Sequence, residues 1–467
     1  MQVLFLCAYP LDCPRFLRIF ANMGKKSFIS ALVALTALFS AFEAGAQGPY
    51  VPSEGNLKSR EEFSQHRLGI FLHWGIYSTY AQGEWYLSNR KLDPDVYSEA
   101  AGGFYPGSFD AAEWARAFKE AGAGYVTLTS RHHDGFSMYR TAQSPFNIMD
   151  ATPFGRDVLG ELTEAVRAEG MRMHYYYSLI DWIRPDYPKG HSGIDKDPAK
   201  ADYDSYFEFE KRQIRELMEQ YHPQALWFDG QWDHETDAVP FQWRMRELYD
   251  FIHGIDPDCL VANNHHRAVV EGEDFQIFEN DLPGENKGGL SGQTVSTRLP
   301  LETCDTMNGM WGYKVDDLNY KSVPTLVRLL VRAASKDANL LLNIGPQANG
   351  KLPELALERL RGIGAWMKVY APTVDGCGSS PIPPQAWGVS TMRPGTIFLH
   401  ILNASALPVS GNQAVIVVPA TGKIASVKSF PEGTALAWKV DKDQFLTVKL
   451  PVPDASAMDT VIEISLK

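Results

Sequence analysis

Short apolar runs alternate with amphipathic segments through the middle of the chain, and this alternation predicts repeated β/α units. The amphipathic segments begin at polar caps, as where Asp110 precedes Glu113 by three residues. The predicted strands cover residues 67–75, 125–130, 172–178, 225–230, 260–264, 275–279, 301–304 and 339–345. Eight predicted strands that alternate with helices predict an α/β fold of the (β/α)8-like barrel type. The sequence signals for the helices after the fifth and sixth strands are weak.

The pattern changes after Pro372. A stretch rich in Gly, Ser and Pro spans residues 376–384, and short alternating segments separated by turns follow it. Segments of this kind predict an antiparallel β-sandwich. We therefore divide the chain into a leader over residues 1–46, a catalytic barrel over residues 47–372 and a β-sandwich over residues 373–467. The last part contains no cluster of carboxylates or histidines, so we expect it to be structural.

The leader has the features of a secretory signal peptide. Lys25 and Lys26 precede an apolar run over residues 29–42, and Ala44-Gly45-Ala46 fits a cleavage site before Gln47. The run is shorter than the roughly 20 residues that a membrane span needs. These features predict a secreted, periplasmic protein that leaves the membrane after cleavage, with a peptide of bacterial type that starts near Met23.

Composition excludes several classes of function. The 467 residues carry a formal net charge of -12 without a basic run, so nucleic acid is not an expected partner. Beyond the leader the cysteines are Cys259, Cys304 and Cys377, an odd number that cannot form a complete disulfide framework. Their spacing does not suggest zinc, and His132-His133-Asp134 lacks a matching set of carboxylates. We expect no metal and no other cofactor, and the oligomeric state stays open.

Candidate chemistry gathers where the predicted strands end. Asp229 follows the apolar run Ala225–Phe228, and histidine, tyrosine, tryptophan or glutamate follows most of the other strands. Barrel enzymes place their active sites at the carboxyl ends of the strands, so we expect these side chains to converge. Two carboxylates on either side of one bond, inside a wall of His, Tyr and Trp, suit glycoside hydrolysis. Tryptophan rings can pack on an apolar sugar edge or on a methyl group.

Several long motifs at these positions resemble those of the α-L-fucosidases of glycoside hydrolase family 29. They are RLGIFLHWGIY (67–77), GEWY (83–86), SRHHDGF (130–136), LWFDGQW (226–232), ETCDTMNGMWGY (302–313) and LLNIGPQANG (341–350). The resemblance covers about residues 50–375 and implies a (β/α)8-like barrel followed by a β-sandwich. It also implies retaining exo-hydrolysis of α-L-fucosides, with a fucosylated oligosaccharide or glycoconjugate as the substrate.

The resemblance also implies roles for individual residues. Asp229 matches the nucleophile, and Trp311 matches an indole near the methyl group of the sugar. The residues that match the fucose pocket are His73, Glu84, Trp85, His132, His133 and Trp227. A tyrosine of the run Tyr175-Tyr176-Tyr177 should join them, and we favour Tyr177.

The acid/base is the least fixed of these assignments. The segment over residues 278–286 offers Glu279, at the end of a predicted strand, and Glu285, in a loop with a glycine; we favour Glu285. Where the family often has Asn-Asp-Arg, this chain has Asn263-Asn264-His265, and we expect His265 to replace the arginine. Two alternatives stay open: an α-L-galactosidase of the same fold, and a catalytically inactive fucose-binding protein.

Overall fold

Eight parallel strands form the central sheet of the computed structural model, which describes residues 48–467. The strands are β1 (Leu68–Leu72), β2 (Tyr125–Arg131), β3 (Arg172–Ser178), β4 (Ala225–Asp229), β5 (Leu260–Asn264), β6 (Gln276–Glu279), β7 (Leu301–Thr306) and β8 (Ala338–Ile344). They follow the order β5-β4-β3-β2-β1-β8-β7-β6. The outermost strands β5 and β6 pack side by side without a hydrogen-bonded ladder, so the barrel is nearly closed. This confirms the predicted fold. The predicted leader over residues 1–46 lies outside the described residues.

Ten α-helices accompany these strands within residues 48–467. They are α1 (Glu54–Gln65), α2 (Tyr77–Tyr80), α3 (Tyr86–Arg90), α4 (Pro94–Ser98), α5 (Ala111–Glu120), α6 (Val158–Ala168), α7 (Tyr203–Tyr221), α8 (Met245–Ile255), α9 (Val323–Ala334) and α10 (Glu354–Tyr370). The carboxylate of Asp110 accepts a hydrogen bond from the backbone N–H of Glu113 and caps α5, as its sequence predicts. Loops connect β5 to β6 and β6 to β7, where the helical signal in the sequence is weak.

Side chains of β3 alternate between the helical layer and the inside of the barrel. Tyr175 contacts the hydroxyl of Thr163 on α6 at 2.6 Å, and Tyr177 donates to Gln213 on α7 at 2.8 Å. Between them, Tyr176 points inward and stacks on Trp227 of β4, with the ring centroids 5.5 Å apart. The two rings meet because Tyr176 and Trp227 are register partners in the parallel pair.

Nine further strands build two antiparallel sheets after α10. They are β9 (Gly378–Ser379), β10 (Gly388–Arg393), β11 (Thr396–Ile401), β12 (Val409–Ser410), β13 (Gln413–Pro419), β14 (Ile424–Phe430), β15 (Ala437–Val440), β16 (Phe445–Pro451) and β17 (Thr460–Leu466). One sheet has the order β14-β17-β11-β10-β9 and the other β12-β13-β16-β15. An apolar core that includes Leu399, Ile416 and Val448 lies in this region, as the alternating sequence predicts.

The barrel and the antiparallel sheets belong to one compact unit over Pro52–Lys467. Arg328 of α9 donates hydrogen bonds at 3.1 Å to the backbone carbonyls of Ala457 and Met458 in the loop before β17. Within residues 48–467, none of the helices is both long and apolar enough to cross a bilayer.

Candidate active site

A cavity of about 270 Å³ opens at the carboxyl ends of the barrel strands. Its lining combines aromatic rings, histidines and three acidic side chains. The lining residues are Phe71, His73, Trp85, His132, His133, Tyr176, His191, Trp227, Asp229, Trp232, Glu235, Asn264, His266, Glu279, Leu290, Cys304 and Trp311. A cavity with an apolar wall and a few convergent polar groups is the usual form of a small-molecule site.

Asp229, the last residue of β4, is the most heavily hydrogen-bonded carboxylate of this cavity. Its Oδ1 accepts from the backbone N–H of Gly230 at 2.8 Å and from Nε1 of Trp232 at 2.9 Å, and its Oδ2 accepts from the hydroxyl of Tyr176 at 2.9 Å. Burial raises the pKa of Asp229 to about 6, the negative charge of Glu279 adds to the rise, and the hydrogen bonds oppose it. The carboxylate is therefore ionised at neutral pH but close to its titration range.

The turn after Asp229 depends on Gly230. Its φ is 104°, a value that side-chain-bearing residues rarely adopt, and a Cβ there would lie 2.5 Å from Cγ1 of Ile180. The turn leads into the 3₁₀ segment Gln231–His234, which brings the indole of Trp232 back over Asp229.

Glu279, the last residue of β6, lies across the same cavity. Its Oε2 accepts from Nδ2 of Asn264 at 2.7 Å and lies 3.0 Å from Nε2 of His266. Nδ2 of Asn264 is also 3.4 Å from Oδ1 of Asp229. Because one nitrogen contacts both carboxylates, their nearest oxygens are at most about 6 Å apart, which is closer to the roughly 5–5.5 Å of retaining glycosidases than to the wider spacing of inverting ones.

Three histidines on one side of the cavity are held neutral by burial. Burial lowers the pKa of His73 to about 3, and it lowers the pKa values of His132 and His133 well below the ordinary range. Nδ1 of His73 donates to Oδ1 of Asn343 at 2.7 Å, so its Nε2 is left as an acceptor. Nε2 of His133 lies 3.5 Å from Oδ2 of Asp229. Neutral imidazoles carry one donor and one acceptor nitrogen and can therefore read the hydroxyl groups of a sugar.

Glu84 and Trp311 belong to two loops that meet beside these histidines. Oε2 of Glu84 accepts from the backbone N–H of Gly312 at 2.6 Å, and burial raises the pKa of Glu84 to about 7. Glu84 lies behind the cavity wall, which its neighbour Trp85 lines. The ring of Trp311 packs against Phe71 and His73, with centroid distances of 6.0 and 5.2 Å. This face is mostly apolar.

Glu302 supports the inner wall of the cavity from inside the barrel. Its Oε1 accepts from Nε1 of Trp227 at 2.8 Å, and its Oε2 accepts from the hydroxyl of Tyr125 at 2.6 Å. Burial raises the pKa of Glu302 to about 7. Glu302 opens the motif ETCDTMNGMWGY, yet nothing in the sequence marks it as the partner of Trp227.

Four predicted site residues do not line the cavity: Glu84, Tyr177, His265 and Glu285. Glu84 is held behind the wall by its hydrogen bond from Gly312. Tyr177 points into the helical layer, where it bonds to Gln213, so Tyr176 is the tyrosine of the site. His265 is bonded to Glu273 at 2.8 Å behind the wall, and the following residue, His266, enters the cavity instead. Both corrections move the assignment by one residue along the chain.

Glu285 is the last of these four residues. Its carboxylate lies 2.9 Å from Nη2 of Arg332 and 2.5 Å from Nζ of Lys287, and Lys336 is 3.8 Å away. Burial alone would raise the pKa of Glu285, but the hydrogen bond from Lys287 and the charge of Arg332 hold it below the ordinary value. A carboxylate kept ionised in this way is a poor acid, and it does not line the cavity. The preference for Glu285 over Glu279 is therefore not supported.

Sequence reasoning also missed Asn264, Trp232, His191 and Glu235 as residues of the cavity. Two of them could have been found from the sequence: Trp232 lies in the same motif as Asp229, and Asn264 is the register partner of Asp229 in the β4–β5 pair. His191 and Glu235 come from loops whose path the sequence does not reveal.

Comparisons with known proteins show which family the chain resembles. The family profile described as Alpha-L-fucosidase matches residues 37–372. The plasma alpha-L-fucosidase of Rattus norvegicus is 28% identical over 426 residues, which cover 83% of this chain and 86% of the relative. The solved structure of alpha-L-fucosidase isoenzyme 1 from Paenibacillus thiaminolyticus is 30% identical, covers 88% of this chain and 100% of its own, and has a TM-score of 0.77. Thermotoga maritima alpha-fucosidase in complex with fucose is 26% identical, with a TM-score of 0.69, and covers 89% of this chain and 100% of its own.

The barrel and its paired carboxylates define a glycoside hydrolase of the retaining kind. With the family profile matched over most of its length, the chain belongs to the α-L-fucosidase family, glycoside hydrolase family 29. It is an exo-acting α-L-fucosidase that removes terminal fucose from oligosaccharides or glycoconjugates. Within residues 48–467, no group of three or more His, Cys, Asp and Glu side chains is arranged to hold a metal ion.

Proposed function

We propose that Asp229 is the nucleophile and Glu279 the acid/base of this α-L-fucosidase. The observation that carries the proposal is the position of Asn264, whose Nδ2 reaches both carboxylates from between them. In the first step Asp229 attacks the anomeric carbon, the bond to the leaving oxygen breaks, and Glu279 gives that oxygen a proton. In the second step Glu279 takes a proton from water, whose oxygen displaces Asp229 from the sugar.

The surroundings of each carboxylate suit these roles. Donors from Gly230, Trp232 and Tyr176 orient Asp229 and keep it ionised at neutral pH in spite of its burial. Glu279 lies across the cavity from Asp229, and Nδ2 of Asn264 and Nε2 of His266 hold its Oε2 while its Oε1 is left for the leaving oxygen.

Substitution of each carboxylate tests the assignment. Asp229→Ala should lower kcat on an aryl fucoside by at least about a thousandfold, since a lost nucleophile costs several kcal/mol of barrier. Glu279→Ala should retain turnover only when the leaving group is a strongly acidic phenol, and azide should restore its rate by forming fucosyl azide of retained configuration. Glu285→Ala is the matched control and should behave like the wild type. Azide rescue of Glu285→Ala in place of Glu279→Ala would reverse the assignment.

We further propose that His73, Trp85, His132, His133, Tyr176 and Trp227 surround the fucose ring. The wall of Phe71 and Trp311 suits the methyl group of fucose, which L-galactose replaces with a polar hydroxymethyl group. The wall therefore favours fucoside over L-galactoside, and the ratio of kcat/KM for the two aryl glycosides tests this choice. Equal or greater activity on the L-galactoside would favour the alternative enzyme.

A fucose-binding protein without activity is the less favoured alternative. It would need an incomplete pair of carboxylates, whereas Asp229 and Glu279 line one cavity together. Calorimetric binding of fucose in the absence of any turnover of aryl fucosides would favour it.

The same proposal includes export. Lys25-Lys26, the apolar run after them and Ala44-Gly45-Ala46 support cleavage before Gln47 and release into the periplasm. Amino-terminal sequencing of the mature enzyme from a periplasmic fraction tests this part, and a product that still contains residues 23–46 would contradict it.

A further inference from the structure

His266 holds a constrained position at the seam of the barrel. It follows β5, next to the gap where β5 and β6 lack a hydrogen-bonded ladder, and its backbone φ is 58°. That left-handed conformation is uncommon for a residue with a side chain, although histidine adopts it more readily than most. The conformation directs the imidazole across the seam, where Nε2 lies 3.0 Å from Oε2 of Glu279.

Two nitrogens converge on the same oxygen of Glu279. Nδ2 of Asn264 can only donate, and it lies 2.7 Å from Oε2. Nε2 of His266 is the second nitrogen beside Oε2, so this oxygen accepts two hydrogen bonds. Within residues 48–467, the one hydrogen-bond partner of the other oxygen, Oε1, is Nδ2 of Asn280, at a distance of 3.5 Å. A proton on Glu279 is therefore best placed on Oε1.

The charges that face His266 come from three parts of the fold. Glu279 belongs to β6, Asp229 to β4, and Glu235 to the loop after the 3₁₀ segment, where Arg267 lies 3.7 Å from it. Burial lowers the pKa of His266, but the hydrogen bond to Glu279 and the charges of Glu279 and Asp229 outweigh it, so the pKa is raised. The side chain remains 17% exposed and can exchange protons with solvent.

We propose that His266 is the positioning partner of Glu279, and that the two residues titrate as one pair with a single mobile proton. Nε2–H of His266 holds Oε2 in every state, so the mobile proton resides on Oε1 of Glu279 or on Nδ1 of His266. This inference rests on the proposed role of Glu279 as the acid/base.

The pair changes state once in each half of the reaction. When Glu279 gives its Oε1 proton to the leaving oxygen, it becomes a carboxylate, and His266 takes a proton from solvent at Nδ1. When water later attacks the fucosyl carbon, its proton goes to Oε1 of Glu279, and His266 returns a proton to solvent. The overall reaction consumes one water and no net proton.

A shared proton has a consequence for the pH profile. The basic limb of kcat/KM reports loss of the last proton from the pair, and a proton that two sites share is held more tightly than a proton that only one site can take. Replacing His266 by a group that does not titrate should move the midpoint of this limb to lower pH. A merely structural histidine would change the height of the profile and not its midpoint.

The test compares pH profiles on two substrates. His266→Gln keeps an N–H donor without a titrating ring, and His266→Asn suits the left-handed backbone. On a fucoside with a poor leaving group, both variants should show a basic-limb midpoint lower by about one pH unit or more. On an aryl fucoside whose phenol leaves without a proton, the midpoint of the pH profile should be the same in both variants as in the wild type. His265→Gln, at the histidine bonded to Glu273 outside the cavity, is the control and should leave the midpoint in place.

The outcomes separate the pairing of His266 with Glu279 from the acid/base role of Glu279. Midpoints equal to that of the wild type in both variants, with Glu279→Ala still defective, would overturn the pairing and leave the acid/base role standing. Loss of turnover on both substrates by both variants would show that His266 maintains the seam itself, which also overturns the proposal. A wild-type protein that cleaves neither fucoside would overturn the proposed function instead.

Discussion

The hydroxyl of Tyr176 lies 2.9 Å from Oδ2 of Asp229 and donates a hydrogen bond to it from the neighbouring strand. The contact follows from the parallel register, in which Tyr176 pairs with Trp227 and Ser178 pairs with Asp229. The preceding and following tyrosines point the other way, into the helical layer. Three successive tyrosines therefore have different surroundings because side chains alternate along a strand.

The two tyrosines Tyr176 and Tyr177 offer a matched pair of variants. Tyr176→Phe removes a hydrogen bond to the carboxylate and should lower kcat/KM on an aryl fucoside about 10- to 100-fold. Tyr177→Phe removes a hydrogen bond to Gln213 outside the cavity and should lower stability by about 1 kcal/mol, while kcat/KM stays within about a factor of two. Steady-state kinetics and urea denaturation distinguish the two effects. An equal loss of activity in both variants would contradict the assignment of Tyr176.

The acidic limb of the pH profile should reflect Asp229. Burial raises its pKa to about 6, so below that pH the carboxyl group gains a proton and can no longer attack. We expect kcat/KM to fall roughly tenfold per pH unit below pH 6. A profile on an activated aryl fucoside isolates this limb because that substrate does not need the acid. A flat profile down to pH 4.5 would contradict the raised pKa.

Trp232 should control the position of that limb. Its Nε1–H donates to Oδ1 of Asp229, and this bond opposes the rise in the pKa of the carboxylate. Trp232→Phe keeps an aromatic ring but removes the donor, so the acidic limb should move to higher pH and the rate at pH 6 should fall. Trp366→Phe is a suitable control because Nε1 of this buried indole has no hydrogen-bond partner in the described structure. Movement of the limb to lower pH in Trp232→Phe would contradict the role of the bond.

Glu302 should make folding stability depend on pH. Its pKa rises from the ordinary 4.5 to about 7 on folding, so its favourable contribution is complete below pH 4.5 and is lost as pH rises through 7. Glu302→Gln does not titrate, and its stability should therefore fall less than that of the wild type between pH 5 and pH 8. The difference should be about 3 kcal/mol or less. Urea denaturation of both proteins at the two pH values measures it, and parallel declines would contradict the assignment.

The sequence predicted the barrel because apolar strands and amphipathic helices leave strong periodic signals. Asp229, His73 and Trp227 could be placed at the carboxyl ends of their strands for the same reason. The sequence of the run did not decide between Tyr176 and Tyr177, because three identical residues show no alternation that tells which side chain faces the inside of the barrel. Aligning the run with Ala225–Asp229 in parallel register would have decided it.

The remaining errors arise where the chain leaves regular structure. His265 and His266 follow β5 in a segment whose left-handed turn reverses the expected direction of the side chains. Glu285 resembled a mobile acid because a glycine precedes it, but the cations that neutralise it include Arg332 and Lys336 on and after α9, more than forty residues away in the sequence. Contacts of this range leave no local pattern in the sequence.

Phe71, Trp227 and Cys304 are buried at the inner end of the cavity, and Glu302 and Tyr125 fill the barrel interior behind Trp227. The cavity is therefore closed at its inner end. The released monosaccharide has to depart by the route through which the next glycan end arrives, and it keeps the same contacts until it does. Accumulating free fucose should accordingly slow the enzyme as a competitive inhibitor, and continuous removal of the product should prolong a high rate.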